Sequence, residues 1–223
     1  AASDVYKRQV TYMSGMFQSA KSFNQPLNNW DTSNVTTMSN MFRNSAFNYD
    51  IYKWDTSSVT FMGRMFQGHS NYTFFNKPIN SSVQTKSDGT KYIAWNVSNV
   101  TSMAEMFESE HEHPFNQPLD KWDTSSVNDM NQMFSYCNKF NQRLSENTVD
   151  FTSDGLGTYT AWNTQNLVMM TYMFRNCTNF NNGSILRDAG GNPTYDTSGN
   201  EQPSTIPTEF YLNVSNVVGK GME

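Results

Sequence analysis

The sequence of 223 residues is poor in charge and lacks long apolar runs. Charged residues make up 16% of it and the net charge is −5, without the basic stripe that binds nucleic acid. No apolar run approaches the roughly 20 residues that a helix needs to cross a bilayer. We therefore expect no nucleic-acid partner and no membrane span in this chain.

Chemistry-bearing motifs are also scarce. No Gly-x-Ser-x-Gly elbow, phosphate-binding loop or dinucleotide fingerprint occurs. Only three histidines are present, and Glu110-His111-Glu112-His113 has metal-binding residue types without a second cluster to complete a site. We favour a solvated loop there and predict no metal, no cofactor and no catalytic residue. The protein is accordingly predicted not to be an enzyme.

A tandem repeat dominates what the chain does contain. Its clearest copy reads Phe-Asn-Gln-Pro-Leu-Asn-Asn-Trp at 23–30 and continues as Asp-Thr-Ser-Asn-Val-Thr-Thr-Met-Ser-Asn-Met-Phe at 31–42. The motif Val-x-x-Met-x-x-Met-Phe or its close relative begins again at Val10, Val59, Val100, Val127 and Leu167, and a stub occurs at 213–217. A recurring period of this kind indicates repeats that stack on one another and share a core.

Several residue types recur at fixed columns of the repeat. Twelve of the 14 methionines fall in the two Met columns, which favours a stacked apolar core over a copper site or a promiscuous groove. We predict that the Trp and Asn columns form structural ladders, the asparagines by hydrogen bonding the backbone of neighbouring copies. The columns are Trp30, Trp54, Trp95, Trp122 and Trp162, and Asn24, Asn48, Asn76, Asn116, Asn141 and Asn181.

Each copy predicts one helix and one strand. Val35, Met38 and Met41 are spaced as on one face of a short helix, and the preceding Asp-Thr-Ser are N-cap types. The Phe-Asn-x-x-Leu segment has the even spacing of a short strand. Repeated with one hand, these units predict an α/β fold, a right-handed leucine-rich-repeat-like solenoid with one short parallel strand and one short helix per coil.

Three long insertions interrupt the period between the strand Leu or Ile and the Trp. They cover 80–94, 145–161 and about 183–211. Insertions at one point of a repeat emerge on one side of the array, which is often its binding side. Because Tyr is frequent at recognition surfaces, we predict candidate binding loops carrying Tyr72, Phe74, Tyr92, Tyr159 and Tyr195.

The two cysteines, Cys137 and Cys177, occupy the same slot of successive copies. Stacked copies lie roughly 5 Å apart, a spacing that permits a disulfide. Small residues fill similar slots of other copies, which equally favours two buried thiols. Two cysteines do not identify a redox compartment.

Two Met, two Phe and one Trp column recurring together resemble the short tandem repeat of bacterial and mycoplasmal surface lipoproteins, a family related to the BspA-like leucine-rich repeats. The resemblance covers most of residues 10–180 and the stub at 213–217, and the three insertions depart from the plain pattern. It implies a cell-surface or secreted protein that acts in adhesion or protein–protein contact, and it supplies no catalytic residues.

The boundaries of the repeat suggest a domain organisation. Residues 1–9 do not fit the repeat, and we expect a non-native or disordered leader there. Residues 10–223 are expected to form one repeat domain of about six copies and a partial one, a fragment of a longer array. Any export signal or anchor would lie outside it.

The predicted function is a non-catalytic, extracellular or cell-surface module that binds a protein or glycan through one face and its insertions. The first alternative is a structural spacer or stalk, which would gain nothing from the insertions. The second is an ordered Thr/Ser surface that binds carbohydrate or ice, with Thr32, Thr56, Thr124 and Thr164 in register.

Overall fold

The computed structural model describes residues 10–68 and 75–180. Its regular elements are four short strands, β1 (Ser82–Thr85), β2 (Lys91–Ala94), β3 (Asn147–Asp150) and β4 (Thr158–Ala161), and a 3₁₀ helix at Thr152–Asp154. Strands β1 and β2 form one antiparallel hairpin, and β3 and β4 form another. Everything else in the described ranges is turn, bend or irregular chain, with no α-helix.

The predicted helix of each copy is replaced by a series of turns. The residue before the second Met has a positive φ, for example +58° at Asn40. A left-handed residue cannot continue a right-handed helix, and Met41 instead closes a turn by donating its N–H to the Met38 carbonyl at 3.1 Å. The same left-handed position recurs in all six described copies, at Gly15, Asn40, Arg64, Glu105, Gln132 and Tyr172.

Hydrogen bonds between copies use the amides that a helix would need internally. The N–H groups of Met38, Asn40 and Phe42 donate to carbonyls of the following copy at 2.9–3.0 Å. Isolated parallel bridges connect one residue of each copy to the next, through Tyr12, Thr37, Phe61, Ser102, Asp129 and Met169. The segment predicted to be helical therefore supplies many of the backbone hydrogen bonds between copies, and the Phe-Asn-x-x-Leu segment forms no strand in the described ranges.

The predicted α/β fold is thus wrong. With no helix and no parallel strand per copy in the described residues, the chain is not a leucine-rich-repeat-like solenoid. It is a largely irregular chain whose turn-rich copies are hydrogen bonded in series and carry two antiparallel hairpins.

The repeat columns supply the core. Methionines of both columns are almost fully buried from Met38 to Met133. The Phe after the second Met stacks on its equivalent in the next copy, with centroids 5.8 Å apart for Phe42–Phe66 and 5.7 Å for Phe66–Phe107. Offset aromatic stacking adds to the free energy of burial, so one apolar column stabilises several copies at once.

The Trp column combines burial with a hydrogen bond. Trp95 lies between Trp54 and Trp122, with ring centroids 6.4 Å apart on each side. The Trp122 indole N–H donates to the Ile79 carbonyl of the preceding copy at 2.9 Å, and Trp54, Trp95 and Trp162 make the equivalent bonds. Trp30, in the first described copy, is 38% exposed.

The Asn column forms a chain of side-chain to backbone hydrogen bonds. Asn24 accepts from the N–H of Asn48 at 2.9 Å, and Asn48 accepts from the N–H of Asn76 at 3.0 Å. Asn116 and Asn141 continue the chain, and Asn181 lies outside the described residues. These bonds satisfy backbone amides in segments that have no regular secondary structure.

The threonine column points inward. Thr32, Thr56 and Thr124 are buried, and their hydroxyls donate to backbone carbonyls of the following copy at 2.7–2.9 Å. Thr164 is buried as well. Because these threonines are buried within the stack of copies, their hydroxyls do not form an exposed flat surface that could bind carbohydrate or ice.

Candidate functional site

The two described insertions form hairpins at the same point of the repeat, before Trp95 and before Trp162. Both contain a Ser-Asp-Gly turn sequence, at 87–89 and 153–155. Gly89 has φ +86° and Gly155 has φ +76°, a conformation that glycine adopts without steric cost. Each turn sequence therefore lies at the end of its hairpin that is far from the repeat core.

A tyrosine anchors each hairpin to the copy before it. Tyr92 in β2 and Tyr159 in β4 each lie three residues before the Trp. Their hydroxyls donate to the carbonyls of Lys53 and Lys121, both at 2.6 Å. Burial raises the pKa of both phenols, that of Tyr159 to about 12, so each remains a donor at neutral pH. The two predicted binding tyrosines thus have a positioning contact.

Replacing Tyr159 by phenylalanine should lower the free energy of unfolding by about 1 kcal/mol, because the Lys121 carbonyl loses its donor. Chemical denaturation followed by tryptophan fluorescence measures this. Tyr49, which is 43% exposed, supplies the control, and Tyr49→Phe should change stability by a few tenths at most. Equal effects of the two substitutions would show that the anchor contributes nothing.

The two hairpins meet. Lys91 Nζ in β2 lies 2.7 Å from Asp154 Oδ1 in the 3₁₀ helix of the second hairpin. The side chains are 44% and 31% exposed, so the pair contributes at most about 1 kcal/mol. Its importance is geometric, since Lys91 and Asp154 are 63 residues apart in the sequence and their contact joins the two insertions into one surface. We call the surface of residues 80–94 and 145–161 the hairpin surface.

Lysines lie over aromatic rings on the hairpin surface and beside it. Lys86 Nζ is 5.3 Å from the Tyr92 ring centroid and 3.6 Å from Asp55 Oδ2. Lys121 Nζ is 5.8 Å from the ring centroid of Phe151, which is itself buried. Both ammonium groups thus lie within the distance of about 6 Å at which an aromatic ring attracts a cation.

Both hairpins place the following Trp in a costly backbone conformation. Trp95 has φ +50° and Trp162 has φ +52°. Where no insertion precedes it, the Trp N–H closes a tight turn, as from Trp54 to the Ile51 carbonyl at 3.1 Å. After a hairpin it donates to the preceding Trp instead, as from Trp95 to the Trp54 carbonyl at 2.9 Å. A non-glycine residue held at positive φ costs about 1–3 kcal/mol.

Other predicted binding residues lie outside the described part of the chain. Tyr72, Phe74 and Tyr195 are among these, as is the insertion at about 183–211. Sequence reasoning missed Lys91, Asp154 and Phe151. A Lys and an Asp that are 63 residues apart carry no sequence signal of pairing, whereas Ser-Asp-Gly is a common turn sequence.

The two histidines of the Glu-His-Glu-His segment lie in different environments. His113 is fully buried, its Nδ1 accepts from the Phe115 N–H at 3.2 Å, and its Nε2–H donates to the Phe66 carbonyl at 3.1 Å. His111 is exposed. Within residues 10–68 and 75–180, no three His, Cys, Asp or Glu side chains group so that they could hold a metal ion.

The cysteines are two free buried thiols. Cys177 donates to the Cys137 carbonyl at 2.8 Å, and Cys137 donates to the Phe107 carbonyl at 3.1 Å. Burial raises the pKa of both, that of Cys177 to about 12, which keeps them protonated and unreactive at neutral pH. Of the two alternatives, the structure has the buried thiols.

No helix in residues 10–68 and 75–180 has the length and apolar character needed to cross a membrane.

The serially bonded copies define a tandem-repeat protein. The chain belongs to the family described as "Mycoplasma protein of unknown function, DUF285", which matches it twice, over residues 3–92 and 81–186. No curated protein and no solved structure matches the chain. The predicted mycoplasmal repeat character is confirmed at this level. Lipoprotein character and a relation to BspA-like leucine-rich repeats stay predictions.

Proposed function

We propose that this protein is a non-catalytic, cell-surface or secreted module that binds a protein partner through the hairpin surface. The observation that carries the proposal is the joining of two identically anchored hairpins by Lys91 and Asp154. A surface ordered before binding loses less conformational entropy when a partner docks, which favours affinity. Tyrosine, which each hairpin carries, is enriched at protein recognition surfaces.

The backbone cost of the hairpins supports the same proposal. Trp54 and Trp122 follow a two-residue link and have no positive φ, whereas Trp95 and Trp162 follow hairpins and do. A spacer that only sets a distance would lose nothing by keeping the short link. Strain that recurs beside an ordered surface feature is better explained by a use for that feature.

Removing the hairpins should abolish binding while keeping the fold. In this variant, one lysine replaces residues 81–94 and the dipeptide Asn-Lys replaces residues 145–161. Asn80 is retained because its Oδ1 accepts from the Lys121 N–H at 3.0 Å. Both links then have the two-residue length of Tyr52-Lys53. We expect a cooperative unfolding transition as in the parent chain, since the Trp and Phe columns are untouched. Saturable binding of the labelled chain to intact cultured epithelial cells should be lost.

Point variants separate recognition from charge. Lys86→Ser/Lys91→Ser removes two positive charges from the hairpin surface, and Lys77→Ser/Lys139→Ser removes two from elsewhere. Only the Lys86→Ser/Lys91→Ser variant should bind the cells more weakly. Because the proposed partner is a protein, treating the cells with protease should abolish binding of the parent chain. If the chain without hairpins binds as the parent does, the hairpin surface is not the site and the spacer alternative gains.

A further inference from the structure

One column of the repeat combines a fixed backbone with varied side chains. The residue before the second Met has φ between +52° and +59° in five successive copies, at Asn40, Arg64, Glu105, Gln132 and Tyr172. Glycine, as in Gly15 of the first described copy, adopts this conformation at least steric cost, and asparagine is tolerated. Arg, Glu, Gln and Tyr are not favoured there.

These five side chains line a single groove of about 530 Å³, which we call the turn groove. Ser39, Gly63 and Ala104, each one residue earlier in its copy, also line it and leave room because they are small. Backbone segments joined side by side by hydrogen bonds are generally about 4.8 Å apart, so a groove across five such copies would be about 19 Å long. Its volume is in the range of small-ligand sites.

Charge in the turn groove is largely cancelled. Arg64 Nη2 lies 2.7 Å from Glu105 Oε1 and Arg64 Nε lies 3.0 Å from Oε2, a bidentate pair. Asp129 is the other charged residue of the lining. A groove with no excess of cations is unsuited to phosphate, sulfate or nucleic acid, which bind where arginines and lysines converge.

The polar groups of the turn groove face solvent with hydrogen-bonding capacity. Within the described residues, the side-chain amides of Asn40 and Gln132 have no hydrogen-bond partner, and each offers two donors and one acceptor oxygen. At one end, Tyr172 is 42% exposed, and the Arg175 guanidinium lies 5.4 Å from its ring centroid. Among the lining residues Ala104 is the only aliphatic one, so a peptide would find no pocket for apolar anchors.

We propose that the turn groove binds a neutral oligosaccharide. Amides and an ion pair placed in series can exchange hydrogen bonds with successive hydroxyl groups, and an exposed phenol ring can pack on the apolar face of a sugar. No lining residue belongs to a hairpin, so this site is separate from the hairpin surface and does not depend on its partner.

The chain provides matched variants that keep the fold. Asn40→Gly/Gln132→Gly/Tyr172→Gly removes three groove side chains at positions where glycine relieves backbone strain. Asn44→Gly/Tyr136→Gly/Asn176→Gly changes residues four positions later in the same copies, at φ of +56°, +62° and +55°, and none of these lines the groove. Both variants should unfold cooperatively, so a difference in binding is not a difference in folding.

The probe is an array of immobilised neutral oligosaccharides of two to five sugars, with sialylated and sulfated analogues beside them. We expect the full chain to bind one or more neutral members, the groove variant to bind them about tenfold or more weakly, and the control variant to be unchanged. The proposal is overturned if no neutral member binds, if only the anionic analogues bind, or if the groove variant binds like its control. Deleting the hairpins should leave this binding intact, which separates it from the function proposed above.

Discussion

Replacing Trp122 by alanine is expected to lower the free energy of unfolding by about 3–5 kcal/mol. The side chain is fully buried and packs at 6.4 Å from Trp95. Truncation opens a cavity, removes this ring contact and deprives the Ile79 carbonyl of its indole donor. Cavity formation and an unsatisfied buried carbonyl both destabilise, so the loss should lie at the upper end for a single residue.

Trp30→Ala is the matched control, since the same residue type in the same column is 38% exposed in the first described copy. Less area returns to water and the cavity is open to solvent, so its cost should be clearly smaller. Urea unfolding followed by circular dichroism compares the two. Equal losses would mean that the buried Trp column does not stabilise the stack of copies more than its exposed end does.

The repeat columns could be predicted from the sequence, but the backbone conformation of each copy could not. Trp, Phe and Met recur because successive copies pack like on like, and this can be read from the spacing alone. The spacing of Val35, Met38 and Met41 fits a helix equally well, because a turn that closes every third residue also returns side chains to one face. What decides between them is where the amides donate, and Asn40 donates to the next copy rather than within its own.

Some features of the candidate sites could also be predicted from the sequence and others could not. The insertion boundaries and the glycine turns were readable, because Gly at 89 and 155 marks a required positive φ. Tyr92 and Tyr159 are predicted as members of binding loops, and the hydrogen bond by which each anchors its hairpin could not be read from the sequence. The turn groove could not be predicted from the sequence, because Arg64 and Glu105 are residue types that do not indicate a left-handed backbone conformation.

Lowering the pH from about 6.5 to 4 should destabilise the protein through His113. Burial lowers the pKa of this imidazole to about 4 in the folded chain, against an ordinary 6.5. Between these values the unfolded chain takes up a proton that the folded chain refuses, so the free energy of unfolding falls as the pH falls. The free energy of unfolding falls by about 3 kcal/mol in all. The whole loss is reached near pH 4, and no loss occurs above about pH 7.

The cause is visible in the contacts of His113. Its Nδ1 already accepts from the Phe115 N–H at 3.2 Å, so a proton on that nitrogen would oppose another donor. Nε2–H donates to the Phe66 carbonyl at 3.1 Å, and the Phe107 ring lies edge-on with centroids 6.0 Å apart. No water reaches the fully buried ring to solvate the charge.

His113→Ser isolates this effect, because Ser45 occupies the same position in an earlier copy. Its Oγ accepts from the Phe47 N–H at 3.1 Å, as His113 Nδ1 accepts from the Phe115 N–H, and it lies 3.5 Å from the Ala20 carbonyl of the preceding copy. The variant should be less stable at pH 7 because serine leaves a cavity, yet its stability should decline less between pH 6.5 and 4. Urea unfolding at several pH values measures how the free energy of unfolding changes with pH in the parent chain and in the variant. Parallel curves, or an imidazole NMR signal that titrates near 6.5 in the folded chain, would contradict the assignment of this pH dependence to the buried histidine.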